Sequence, residues 1–133
     1  MRPYEGQLCV ANVEYMAVRN NNYRTAFWTG DYVQMTLMSI PPCGEIGLEI
    51  HPDTEQIIRV EQGIGLLKIG KNPCNPELQQ ILRKGDTVFV PAGTWHNILN
   101  QGRKPLKLSS IYAPPHHPAD TVQRTKEDAE NHY

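Results

Sequence analysis

Short runs of apolar and β-branched residues, each closed by Gly, Pro, Asn or Asp, recur along most of this chain. The clearest is Tyr-Val-Gln-Met-Thr-Leu-Met-Ser-Ile at 32–40, which stops hard at Pro41-Pro42-Cys43-Gly44. Further strands are predicted at 46–51, 56–62, 64–69, 87–90, 95–100 and 106–112. Residues 1–31 lack helical periodicity, and Asn20-Asn21-Asn22 and Gly30-Asp31 read as turns around one or two short strands that start a barrel or wrap its edge. The segment 77–82, apolar at Leu78, Ile81 and Leu82, fits one helical turn or a strand equally. After Pro118 the chain turns polar, and Thr125-Lys126-Glu127-Asp128 offers a capping box for a short C-terminal helix to about residue 131. Seven or eight short strands with no repeat and no linker predict an all-β sandwich or barrel.

Length and composition narrow this picture. With 133 residues, the span 1–133 is read as a single domain able to bury a core of its own. Hydrophobic residues at 39% and charged residues at 20%, with a formal net charge of -1, argue against disorder and give no basic field for nucleic acid. Eleven prolines and ten glycines are scattered between the apolar runs, as turn punctuation is. The first thirty residues contain no basic stretch followed by an apolar run, and no apolar segment approaches the ~20 residues needed to cross a bilayer. A cytoplasmic protein without a membrane partner is the expectation. Cys9, Cys43 and Cys74 are odd in number, far apart and without C-x-x-C spacing, so three reduced thiols are expected.

The chemistry concentrates in two places. Glu49 and His51 are two residues apart and project from one face of a strand, where His96 from a neighbouring strand can complete a facial group. Two imidazoles and one carboxylate leave coordination positions open, a donor set that suits Fe, Mn, Ni or Zn; one divalent transition metal ion of unassigned identity is expected. Strict alternation puts Ile46, Leu48 and Ile50 on one face and Glu45, Gly47, Glu49 and His51 on the other. Taken alone, that pattern turns the charged face toward water.

Residues 85–100 read Gly-Asp-Thr-Val-Phe-Val-Pro-Ala-Gly-Thr-Trp-His-Asn-Ile-Leu-Asn, which is G-x5-P-x-G-x2-H-x3-N without a mismatch. This resembles the second motif of the cupin superfamily. Residues 44–63 resemble the first motif with departures: His51 matches its second histidine, Glu49 replaces the first, and Gln56 falls where the family has glutamate, with Glu55 the neighbouring alternative. The resemblance implies a single-domain double-stranded β-helix, a jelly-roll-like barrel, with Glu49, His51, Gln56 and His96 as metal ligands. It also reverses the water-facing reading of Glu49 and His51. The face of Ile46, Leu48 and Ile50 then needs cover from the N-terminal segment or another subunit, and a homodimer is expected. Because His96, Ile98 and Asn100 share a strand face, a metal at His96 sits above an apolar layer formed partly by Ile98.

The chain looks like the small single-domain cupins compared with mannose-6-phosphate isomerases. That likeness implies a metal-dependent, isomerase-like enzyme acting on a small polar substrate such as a sugar or sugar phosphate, with His117, Glu45 or Tyr112 moving a proton. A ferrous-iron dioxygenase and a non-catalytic small-molecule-binding barrel are the alternatives. His116 and His117, in Tyr-Ala-Pro-Pro-His-His-Pro, either cap the barrel mouth or face solvent. Tyr112, Arg24, Trp28 and Gln34 are weaker pocket candidates for which a packing or surface reading is preferred, and Arg59 and Glu61, opposite Gln56, Ile58 and Val60, are read as surface or interface residues.

Overall fold

A computed structural model describes residues 4–130. Ten strands form two sheets: β1 (Tyr4–Glu5), β2 (Arg24–Thr29), β3 (Gln34–Ile40), β4 (Glu55–Gln62), β5 (Gly65–Ile69), β6 (Leu78–Leu82), β7 (Thr87–Val90), β8 (His96–Asn100), β9 (Leu106–Ala113) and β10 (Val122–Gln123). The larger sheet has the order β1-β2-β3-β9-β4-β7, with β10 also paired to β2, and the smaller has the order β6-β5-β8. All pairings but the parallel β1–β2 pair are antiparallel, and β3–β9, β4–β9 and β5–β8 join strands distant in sequence, as the cupin resemblance implies. Six of the predicted strands are present to within two residues at each end, and 78–82 resolves as strand β6.

The N-terminal expectation holds for β2 between its two turns and is corrected at Val13–Arg19, which forms a helix, α1. Asn12 caps it by accepting from the Tyr15 N–H at 2.9 Å. Its apolar stripe of Val13, Met16 and Ala17 packs with Phe27, Leu37 and Met35 on the outer face of the large sheet. Seven residues are too few for a periodic pattern to stand out. The expected C-terminal helix forms as α2 (Lys126–Glu130), where Thr125 Oγ1 accepts from Asp128 N at 3.2 Å; its expected end at 131 lies outside the described residues.

Inward-facing residues form rows across the large sheet. Gln34, Tyr112, Gln56 and Val90 are successive cross-strand partners, followed by Thr36, Ser110, Ile58 and Val88, then Met38, Leu108 and Val60. The barrel interior therefore grades from polar at one end to apolar at the other, where Ile40, Ile98, Leu106 and Leu108 are fully buried. On the outer face Glu61 is a correction: it is 1% exposed and accepts from Ser109 Oγ at 2.6 Å, while Arg59 stays exposed 3.9 Å from it.

Segment 46–51 is not the regular strand expected. It pairs with β8 through isolated bridges, Glu45 to Leu99 and Glu49 to His96, so four steps along one chain match three along the other. The extra residue is a β-bulge at Gly47, whose φ is +100°. Ile46 N–H donates to Ile98 O, Gly47 N–H to the Asn97 side chain, and Glu49 N–H to His96 O. The bulge reverses the alternation, so Ile46 and Glu49 both turn inward while Glu45 stays on the outer side beside Leu99. Ile46 joins the core at 6% exposure, and Leu48 and Ile50 are half-buried. Of the face on which the homodimer expectation rested, Ile46 is thus covered within one chain and Leu48 and Ile50 are covered in part.

A Cβ at Gly47 would lie 3.3 Å from the flexible Lys126 Nζ, so space is available and the backbone angle is the obstacle. Gly47→Ala is expected to destabilise the protein by about 1–2 kcal/mol in denaturant melts. An unchanged midpoint would contradict the bulge.

Candidate metal centre

Glu49, His51 and His96 meet at the polar end of the barrel. Glu49 Oε1 stands 3.3 Å from His51 Nε2 and 3.3 Å from His96 Nε2. All three atoms are buried, and none makes a hydrogen bond. Buried polar atoms seldom lack partners unless something further occupies the point they converge on. Donors about 2.1 Å from one cation lie about 3.0 Å apart in octahedral and about 3.4 Å apart in tetrahedral geometry, so the observed spacing fits a first-row metal.

Each donor is positioned by a distinct device. His96 Nδ1 donates to Thr94 O at 2.9 Å, which leaves the Nε2 lone pair facing the centre. His51 is 7% exposed, and its carbonyl accepts from Gly93 N–H at 2.9 Å, tying the first motif to the Pro-Ala-Gly turn of the second. Glu49 is delivered by the bulge. Burial opposes ionisation of Glu49, yet the two imidazoles outweigh it and hold the carboxyl well below the usual carboxylate range. His96 is pushed down by burial but raised on balance by Glu49 and the Thr94 carbonyl.

Gln56 faces the same interior at 2% exposure, its Nε2 donating to Ser110 Oγ at 2.7 Å and its Oε1 buried without a partner. Glu55, the alternative, is exposed on the outer face beside Ile57 and Phe89. Ile98 lies beneath His96 at 0% exposure, as the strand face implied.

The centre opens through Glu49 into a cavity of about 760 Å³, lined also by His116 and His117. Both histidines belong to the barrel: His116 lies 4.3 Å from His51 and His117 5.1 Å from Tyr112 between ring centroids. Their loop is pinned by Gln34, whose Oε1 accepts from His116 N (3.2 Å) and His117 N (3.0 Å) and whose Nε2 donates to His117 O (2.8 Å). Burial first, then Arg24 and His116, push His117 down to about 3, so it stays neutral. Tyr112 is fully buried against His51 and His117, and burial raises its phenol. Glu45 is not brought to the cavity; Asn97 Nδ2 donates to it at 3.0 Å on the outer side. Trp28 packs under α1 as expected. Arg24, a weaker pocket candidate in the sequence, is a buried residue of the cavity wall, and sequence reasoning missed the positioning roles of Gln34 and Asn97. The one available signal was a polar residue on the inward face of a strand that is otherwise apolar toward its far end. Cys9, Cys43 and Cys74 are free and exposed.

Comparison with known proteins agrees with this geometry. The profile described as "Cupin domain" matches residues 36–112. Among curated proteins, the chain is 47% identical to the uncharacterized protein YrkC of Bacillus subtilis over 129 residues, covering 97% of this chain and 69% of that one. It is 39% identical to the uncharacterized protein L612 of Acanthamoeba polyphaga mimivirus, covering 89% and 72%. The crystal structure of BH2720 from Bacillus halodurans superposes with a TM-score of 0.94 at 46% identity, covering 98% of both chains.

Removing the Gln34 side chain strands two backbone N–H groups. Gln34→Ala is expected to cost about 1–3 kcal/mol and to make the loop at 114–118 newly sensitive to limited proteolysis. Unaltered cleavage would show that Gln34 does not hold it.

Proposed function

This chain belongs to the cupin family, and on that premise we propose that it is a metal-dependent enzyme acting on a small polar substrate, such as a sugar or sugar phosphate, by isomerase-like chemistry. The observation that carries the reading is the convergence of three buried, unpartnered donor atoms from Glu49, His51 and His96 beside a cavity large enough for a small metabolite. Gln56 Oε1, buried and unpartnered on the same inner face, is proposed as a fourth ligand. A bound Fe, Mn, Ni or Zn ion supplies Lewis-acid polarisation of a substrate oxygen. Of His117, Glu45 and Tyr112, His117 lines the cavity, and its neutral ring can accept at one nitrogen and donate at the other. His117 is thus proposed to relay a proton between its two ring nitrogens while staying neutral, with Gln34 fixing its backbone. Tyr112, held protonated behind it, supports the ring by an edge contact.

The two-histidine, one-carboxylate set also favours a second reading, a ferrous-iron dioxygenase. Oxygen dependence separates the two. Among the described residues no helix is long and apolar enough to cross a membrane, and the cavity is the surface to which we assign the ligand.

Protein purified without a metal-affinity tag is expected to carry about one equivalent of a divalent transition metal, in keeping with the single donor cluster among the described residues. His96→Ala should lose most of it by elemental analysis; retention would mean that the ligand set is wrong. Gln56→Ala should weaken metal retention by about tenfold or more, whereas unchanged retention would indicate a three-ligand site. Turnover of a sugar or sugar phosphate under anaerobic conditions is the expected result, and turnover that requires oxygen would favour the dioxygenase.

A further inference from the structure

The cavity beside the metal centre holds a cation that the protein leaves half engaged. Arg24, on β2, is 6% exposed and lines the cavity. Buried charges are ordinarily paired, because desolvation without a counterion costs several kcal/mol. Yet Arg24 takes part in none of the ion pairs among the described residues. Its Nη1 donates to Gln123 Oε1 at 2.9 Å, and Gln123 is itself buried. The Tyr23 ring lies 5.2 Å from the guanidinium carbon and braces the plane. Nε is buried without a partner, and Nη2 makes no hydrogen bond to the described residues.

Those two nitrogens share one edge of the guanidinium, and that edge matches both oxygens of a carboxylate. Nη1 is thus anchored on Gln123, while the Nε/Nη2 edge makes no hydrogen bond to the described residues. The other charges on the cavity wall are Lys126, already 3.8 Å from Glu130, and the carboxylates of Glu49, Asp120 and Glu130. Two cations against three carboxylates disfavour the two charges that a phosphate concentrates on one group, and suit the single charge of a carboxylate held on the fixed fork, with any second carboxylate directed to the metal centre.

We propose that Arg24 is a carboxylate-binding subsite: the ligand is a small hydroxy, oxo or sugar acid whose carboxylate takes the Nε/Nη2 edge while a second oxygen reaches the Glu49/His51/His96 centre. The second half rests on the metal reading given above; the first half does not. Arg24 here selects and orients the ligand. Gln123 is a positioning residue that keeps the fork turned toward the cavity.

The test uses malonate, inorganic phosphate and glycerol as probes on zinc-loaded and chelator-stripped protein. Malonate is expected to bind the zinc-loaded protein by calorimetry and to shift the Arg24 Nε–H resonance downfield in nitrogen-15 NMR spectra, with glycerol silent. Arg24→Gln and Arg24→Lys should each weaken malonate by at least about tenfold with zinc content unchanged, since Lys keeps the charge but loses the fork. The wild-type resonance carries the test even where a variant fails to fold. An unmoved Arg24 resonance, malonate affinity retained in Arg24→Lys, or tighter binding of phosphate than of malonate would overturn the proposal. Protein that takes up no zinc but still shows the shift would refute the metal reading and uphold the subsite. Protein that takes up zinc without the shift would refute the subsite alone.

Discussion

One extra residue in the segment facing β8 decides whether this barrel has a centre. Strict alternation from Ile46 cannot place both Ile46 and Glu49 inside, because they are an odd number of positions apart. The bulge at Gly47 removes that conflict by absorbing a residue at positive φ. The backbone N–H it frees is taken by the side chain of Asn97, the residue after His96. The second motif therefore supplies a ligand and, one position later, the group that secures the bulge delivering another. Losing that hydrogen bond would strand a half-buried N–H and loosen Glu49 together with it.

Around this constraint the interior is built as a gradient. Successive rows pass from Gln34, Tyr112 and Gln56 through Thr36, Ser110 and Ile58 to Met38, Leu108 and Val60. The apolar rows supply most of the hydrophobic stabilisation, and the polar rows are tolerable because their groups bind each other or the histidine loop. Most of the buried atoms left without hydrogen-bond partners, Glu49 Oε1, His51 Nε2, His96 Nε2 and Gln56 Oε1 among them, gather at the polar end, whereas Glu61 Oε1 lies on the outer face. Stability and function thus divide along the barrel axis. Outside, α1 covers part of the large sheet, and Glu61, Ser109 and Lys107 find partners there.

The strands were readable because each ends at a Gly, Pro or Asn cluster and carries β-branched residues between, as at 34–40 and 106–113. His96 was readable from five fixed positions of one motif, and Ile98 below it followed from the two-residue period. The helix at 13–19 was hidden by its shortness, since Val13, Met16 and Ala17 make less than two full turns of pattern. Glu49 and His51 were placed inside only by resemblance, because a period-two reading of 45–51 cannot register a bulge. Arg24 and Gln34 ranked only as weak pocket candidates for a different reason. Their roles come from partners 99 and 82 to 83 residues away in sequence, Gln123 and the His116–His117 loop, and no local pattern encodes such meetings.

The central claim, that Glu49, His51 and His96 surround one metal ion, is tested most directly by X-ray diffraction from crystals of the protein as purified, recorded on both sides of the metal absorption edge. The account predicts a single anomalous peak within about 2.0–2.2 Å of Glu49 Oε1, His51 Nε2 and His96 Nε2. A peak bound elsewhere, or no peak there after soaking with zinc, would contradict it.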